Sequence, residues 1–164
     1  MSKVVVDTNV IVALIDAKDV HHSISRLLIE SIEEKGMDIV VFDCVINEVF
    51  SVIAKRSRQR GYSFKDSAVK INEILSSLKI VRIYQSVKKY HDRIIELMIK
   101  TEGNLNYHDA LICLVMKEKK ILEIASLDRG FENVPWVKVL NTGGTDSKMG
   151  VTSQKLIRKS KVKN

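Results

Sequence analysis

Several things are scarce in this sequence, and each scarcity removes a class of protein. No apolar run approaches the roughly 18–20 residues that a membrane-spanning helix needs, and the apolar residues near the start are interrupted by Asp7 too early for a secretory signal. Export and membrane insertion are therefore not expected. There are only two cysteines, Cys44 and Cys113, both in apolar helical patterns and without the spacing of a metal knuckle. They read as buried, reduced thiols in a reducing cytoplasm. No internal repeat or interdomain linker is visible, and 164 residues suit one domain with a core of its own. Acids are missing from two stretches. From Ser147 onward the chain carries Lys148, Lys155, Arg158, Lys159, Lys161 and Lys163 and no Asp or Glu, so six of the seven net positive charges belong to the last residues. Between Glu48 and Asp66 lie Lys55, Arg56, Arg58, Arg60 and Lys65, again without an acid. Basic clusters of this kind attract phosphate by releasing counterions, although a solvated face has the same appearance.

What is present is an alternation of short β-branched runs with helical periodicity. Lys3-Val4-Val5-Val6 reads as a strand covered on both faces, because stiff β-branched side chains without a polar alternation suit a parallel sheet. Val10 to Ile15 suggests a helix that Thr8 or Asn9 can cap. A second helix is expected from Ser25 to Lys35, closed by Gly36, then a strand over Asp38 to Phe42 and a long helix over Cys44 to Arg60 with Asp43 as its cap. Further helices fit 65–77, 87–101 and 109–119, and further strands fit 79–83, 121–126 and 136–140. Strands joined through helices call for a three-layer α/β/α fold with a mostly parallel central sheet of about five strands. Beyond Asn141-Thr142-Gly143-Gly144-Thr145 the apolar periodicity fades. The domain is expected to span 1–141, with 142–164 a flexible basic tail.

Most acids lie on polar helix faces, where solvation accounts for them. Four do not. Asp7 ends the first strand, beside a helix start, where open α/β sheets keep their ligand sites. Asp128 follows the fourth strand in the same way, in Ser126-Leu127-Asp128-Arg129-Gly130-Phe131. Glu48 has Cys44, Val45, Ser51 and Val52 one turn away, which directs its carboxylate toward the core. Asp109 opens Ala110-Leu111-Ile112-Cys113-Leu114-Val115-Met116, apolar on every side and therefore a central helix. Each has an ordinary structural explanation as a turn, a cap or a first-turn residue. Together, though, two strand ends and two core-directed helices can converge on one sheet edge, where like charges do not all remain ionised without cations. Hard oxygen ligands without a thiolate or histidine cluster point to Mg²⁺ or Mn²⁺ rather than zinc. Such ions activate water and stabilise charge on a phosphodiester.

The ordered set Val-Val-Val-Asp7-Thr8-Asn9, Asn47-Glu48-Val49, Tyr107-His108-Asp109-Ala110-Leu111-Ile112 and Ser126-Leu127-Asp128-Arg129-Gly130-Phe131 resembles the PIN-domain ribonucleases over about residues 1–140. The resemblance implies an Mg²⁺- or Mn²⁺-dependent endoribonuclease whose metal-binding and catalytic acids are Asp7, Glu48, Asp109 and Asp128, supported through hydrogen bonds by Thr8, Asn9 and Ser126. In size the chain is similar to VapC-type toxins of toxin–antitoxin pairs, which implies a homodimer held by a small antitoxin. The basic tail departs from that compact pattern. His22 stands where many such toxins carry a histidine and is given no chemistry. RNA is expected to be held by Lys55, Arg56, Arg58 and Arg60 and, in the tail, by Lys155, Arg158 and Lys159, so that truncation at Gly144 weakens RNA binding.

Two other classes compete. A haloacid-dehalogenase-like phosphatase wants a second Asp two residues after the first, where Asn9 stands, and a phosphoacceptor domain wants an acidic pair after the first strand and a lysine after a late one. A non-catalytic RNA-binding protein of the same fold is the second alternative, against which the retention of all four acids argues.

Overall fold

The computed structural model describes residues 2–141; the expected tail, with Lys155, Arg158 and Lys159, lies outside the described residues. The chain starts with β1 (Lys3–Val6), whose three valines are at most 1% exposed. Next come α1 (Thr8–Ile15), α2 (His22–Glu34), β2 (Asp38–Phe42), α3 (Asp43–Arg60) and α4 (Phe64–Ser76). After them follow β3 (Lys79–Val81), α5 (Val87–Lys100), α6 (Tyr107–Glu118), β4 (Glu123–Ala125) and β5 (Lys138–Leu140).

The five strands form one sheet in the order β3-β2-β1-β4-β5, with every neighbouring pair parallel. From β1 the chain steps outward to β2 and β3, then crosses back to lay β4 and β5 on the other side of β1. The boundary between β1 and β4 is thus a topological switch point, the crevice where such sheets bind ligands. Right-handed crossovers in opposite directions put the intervening helices on opposite faces. On one face α1 packs against α2 and α3, and α3 against α4; on the other α5 pairs with α6. This is the expected three-layer α/β/α architecture with a parallel sheet.

Register decides what meets at the edge. Val6 lies opposite Ala125, and Ala125 opposite Leu140, so the last residues of β1, β4 and β5 form one row. Helices that return alongside parallel strands start at the carboxyl edge of the sheet, which brings the N-termini of α1, α3 and α6 to that row.

Element ends differ from the sequence reading for local reasons. β3 and β4 are shorter than expected because residues of the anticipated strands serve other elements. Ile121 donates its N–H to the carbonyl of Met116 and so closes α6, and Ile83 donates to Asp43 Oδ1 at 2.8 Å. Asp43 is accordingly the first residue of α3, not its cap, and its carboxylate ties the chain beyond β3 to the helix. α6 starts two residues before the expected position, at Tyr107, because Asn106 caps it. Gly61 closes α3 with φ of 69°, a left-handed conformation in which a side chain is strained. Cys44 and Cys113 are free and buried as expected.

Candidate active site

Asp7 is the first residue past β1 and also the N-cap of α1, so the expectation that Thr8 or Asn9 caps this helix is corrected: Asp7 Oδ1 accepts from the Thr8 N–H at 2.7 Å. Its other oxygen, Oδ2, accepts from Asn9 Nδ2 and from Ser126 Oγ, both at 2.7 Å. Three hydrogen bonds therefore orient a carboxylate that is only 5% exposed, and none of them comes from a cation. Burial pushes the Asp7 carboxyl up to about 6 despite the bonds from Ser126 and Thr8, and repulsion from Glu48 and Asp128 adds to the rise.

Ser126 follows β4 and is fully buried. Its hydroxyl donates to Asp7 and accepts from the backbone N–H of Asp128 at 3.0 Å and from Asn9 Nδ2 at 3.2 Å, so the single donor and both lone pairs are in use. Asn9 completes the link, accepting at Oδ1 from the Leu127 N–H at 3.1 Å. Asn9 and Ser126 thereby clamp the carboxyl ends of β1 and β4 to each other.

Glu48 is half-buried on α3 at the border of the core rather than within it, and its Oε2 accepts from Thr8 Oγ1 at 2.9 Å. Asp109 sits at the third position of α6 and shares a reciprocal cap with Asn106: Asp109 Oδ2 accepts the Asn106 N–H at 3.1 Å, and Asn106 Oδ1 accepts the Asp109 N–H at 2.9 Å. It is 8% exposed, and burial pushes its carboxyl up to about 7, with repulsion from Asp7, Asp128 and Glu48 contributing. Asp128 is exposed and accepts at Oδ1 from the Gly130 N–H at 2.7 Å. The turn admits no side chain at Gly130, because a Cβ there would lie 2.5 Å from the carbonyl oxygen of Asn104. The glycine lets the loop that carries Asp128 seat against the loop before α6.

These four acids, with Thr8, Asn9, Asn106 and Arg129, line one open cavity of about 510 Å³ at the switch point. Among the described residues none of the four acids has a lysine or arginine ion-pair partner. Nor do three His, Cys, Asp or Glu side chains stand in a ready-made ligand cage among these residues. The donor set nonetheless fits a hard divalent cation. Asp109 Oδ1, Glu48 Oε1 and Asp128 Oδ2 receive no hydrogen bond among the described residues, and the carboxyls of Asp7 and Asp109 are raised first by burial and then by repulsion from neighbouring acids that a cation would relieve.

The basic residues expected to face RNA divide into two groups. Lys55 and Arg58 are exposed. Arg56 instead bridges Asp16 and Asp19 at 2.9 and 2.6 Å, and Arg60 pairs with Asp16 at 2.6 Å. Asp19 and Arg56 also line the cavity. Sequence reasoning missed this cluster and Asn106. The cluster joins residues about forty positions apart and leaves no local pattern; Asn106 carried a readable signal, an Asn three residues before an acid that precedes an apolar run.

Comparison with known proteins identifies the family. Residues 4–137 match the PIN domain family. Ribonuclease VapC1 of Aquifex aeolicus (strain VF5) is 29% identical over 143 residues, covering 85% of this chain and 90% of that protein. Among solved structures, VapC20 of Mycobacterium tuberculosis, a sarcin-ricin loop cleaving toxin, superposes with a TM-score of 0.64 at 21% identity, covering 82% of this chain and 97% of its own. VapBC2 of Rickettsia felis, bound to a DNA fragment from its promoter, gives 0.64 at 16% identity and covers 84% and 96%. The family match takes in every acid of the cavity, and the chain belongs to the PIN domain family.

Proposed function

We propose that this protein is an Mg²⁺- or Mn²⁺-dependent endoribonuclease whose ion is held by Asp7, Glu48, Asp109 and Asp128. The observation that carries this reading is the meeting, in one cavity, of four carboxylates from four separate elements with no ion-pair partner among the described residues. A bound ion of this class supplies an activated water and neutralises charge building on a phosphodiester. RNA as the substrate is supported by the likeness to a named ribonuclease.

The chain's own residues do the positioning. Ser126 and Asn9 fix the carboxylate plane of Asp7, and Thr8 fixes Glu48 through its hydroxyl. The Asn106 cap holds Asp109 at the start of a helix whose positive end favours the ionised carboxylate by about 0.3–1 kcal/mol. Arg129, on the cavity wall beside Asp128, offers a guanidinium to a phosphate of the substrate. The deciding experiment is an RNA cleavage assay with Mn²⁺, with EDTA, and with Asp7→Asn. Cleavage that needs the ion and is lost in the variant is expected; an Asp7→Asn chain that cuts as fast as the parent would overturn the reading.

The likeness to VapC proteins favours, within this activity, the toxin of a toxin–antitoxin pair acting in the cytoplasm as a homodimer restrained by a small antitoxin. Apolar side chains stand exposed on α2 and α5, notably Leu27 and Ile99, and offer surface for such partners. Growth arrest on expression, relieved by the product of an adjacent reading frame, is the expected outcome; harmless expression of an active nuclease points to RNA processing.

A further inference from the structure

Aromatic side chains make up only 5% of this chain, yet several of its flat rings gather in one place. Two of the four tyrosines, Tyr84 and Tyr107, and two of the four histidines, His91 and His108, form a cluster that the metal chemistry proposed above does not use. Tyr84 opens the 3₁₀ turn Tyr84–Ser86 before α5, His91 lies on α5, and Tyr107 and His108 are the first two residues of α6. The rings of Tyr84 and His108 meet edge to face, with centroids 6.0 Å apart and planes at 80°. Those of His91 and Tyr107 stand 6.1 Å apart, and the Tyr107 hydroxyl and His91 Nδ1 share a hydrogen bond of 3.0 Å. Because Tyr107 and His108 are consecutive, the two pairs form one group.

The chain sets this group on the rim of the acidic cavity. Asn47 Nδ2 donates to the Tyr84 hydroxyl at 3.2 Å, and Asn47 precedes Glu48 on α3. His108 precedes Asp109 on α6. Consecutive Cα atoms lie about 3.8 Å apart, so the line Asn47–Tyr84–His108 joins the immediate neighbours of two cavity acids and crosses the carboxyl edge of the sheet from α3 to α6. The Asp43 carboxylate, bonded to the Ile83 N–H, fixes the backbone just before Tyr84. As a structural tie this line is poorly made. Asn47 and Tyr84 are both exposed, Tyr84 by 39%, so water competes for their hydrogen bond. An exposed ring held at its edge and at its hydroxyl does better at offering a face to another flat ring. The unpaired bases of single-stranded RNA are recognised by stacking on tyrosine and histidine rings.

We propose that Tyr84 and His108, extended by Tyr107 and His91, form a stacking platform for bases of single-stranded RNA on the α3–α6 rim of the active site. The inference rests on the ribonuclease reading for its substrate. Such a platform holds the strand by its bases while the acids act on its backbone, and it selects unpaired RNA over duplex.

The test uses the full chain and a short labelled single-stranded RNA, with binding measured without added metal across a salt series. Tyr84→Ala and Tyr84→Leu should each raise Kd about 5- to 150-fold, the range for losing one stacked base. The slope of log K against log salt should stay unchanged in both, because no charge is removed. Tyr84→Phe, which keeps the ring and loses the bond to Asn47, should bind like the parent. The same RNA in a fully paired duplex should bind the parent and Tyr84→Ala alike, since its bases are stacked inside the helix. Parent-like affinity of both ringless variants overturns the proposal. So does a Tyr84→Phe chain as weak as Tyr84→Ala, because the residue is then a tie to α3 and not a platform. An equal loss on the duplex, or a parent that binds no single-stranded RNA, overturns it as well. A parent that binds RNA but cuts none with Mn²⁺ overturns the ribonuclease reading separately, and the metal-free affinities still decide the platform.

Discussion

Two groups of carboxylates begin at opposite ends of α1 and have opposite fates. Asp16 and Asp19, just after the helix, are half-buried residues whose side chains are only 8% and 9% exposed, and each is bound by an arginine of α3. Asp7, and Asp109 with it, are bound by hydroxyls, amides and backbone N–H groups, which orient a carboxylate without neutralising it. The first group is complete within the protein and pins the α1–α2 connection to α3. The second has no cationic partner among the described residues, and in the function proposed above it takes one from outside. Burial and charge alone do not separate a structural acid from a functional one; the identity of the partner does.

The contrast can be broken most strongly at Asp7. Asp7→Asn should lower metal-dependent RNA cleavage by at least about a thousandfold, the scale of removing a preorganised charged group from an active site, while circular dichroism stays native. Arg56→Ala should act the other way, on stability more than on chemistry. It takes the arginine from Asp19 and leaves Asp16 with Arg60 alone, and should cost about 1–3 kcal/mol in denaturant unfolding, below the usual penalty for a fully buried pair because Arg56 is a quarter exposed. An Arg56→Ala chain as stable as the parent would dissolve the distinction between the two groups.

Their pH signatures should also be opposed. The carboxyls of Asp7 and Asp109 are raised from 3.8 to about 6 and about 7, so the metal-free folded state binds protons more tightly than the unfolded chain there. Their contribution is fully favourable below about pH 4 and is lost as pH rises through about 6 to 7, so the two groups together should cost on the order of 3–5 kcal/mol between pH 4.5 and 8. Added Mn²⁺ should restore that stability at pH 8 and raise the thermal midpoint. Asp19 is lowered by the His21 N–H and by Arg56, against the effect of burial, so its contribution is present above its unfolded value of 3.8 and is lost on acidification. Thermal melts from pH 3 to 8, with and without Mn²⁺, resolve the two trends. The smallest effect expected is a gain in metal-free Asp7→Asn at pH 8. One repulsive charge disappears, but an asparagine offers a single acceptor where three donors converge, so the net is about 1 kcal/mol.

Much of the fold was legible because each strand is a short β-branched run and each helix carries its own apolar stripe, signals local to a few residues. Element ends were less legible, since Asp43 and Ile121 are claimed by partners far along the chain or in the preceding helix. Four acids of the cavity, Asp7, Glu48, Asp109 and Asp128, were readable from where they interrupt apolar segments; Asp19, which also lines it, was not. The cap at Asp7 and its place in the cavity proved to be one arrangement, not rival explanations. The basic run 55–60 was readable only as charge. Nothing in Lys-Arg-Ser-Arg-Gln-Arg says that its first and last arginines are held by Asp16 and Asp19 while Arg58 faces solvent.

The single row formed by the ends of β1, β4 and β5 also sets where this chain tolerates a change in length. A residue inserted within Glu123–Ser126 would shift β4 by one step and turn the Ser126 hydroxyl to the opposite face, parting it from Asp7. The same insertion after Glu132 meets no such ladder before β5. Relatives of this protein should therefore vary in loop length beyond the row, and keep the residue count behind it fixed.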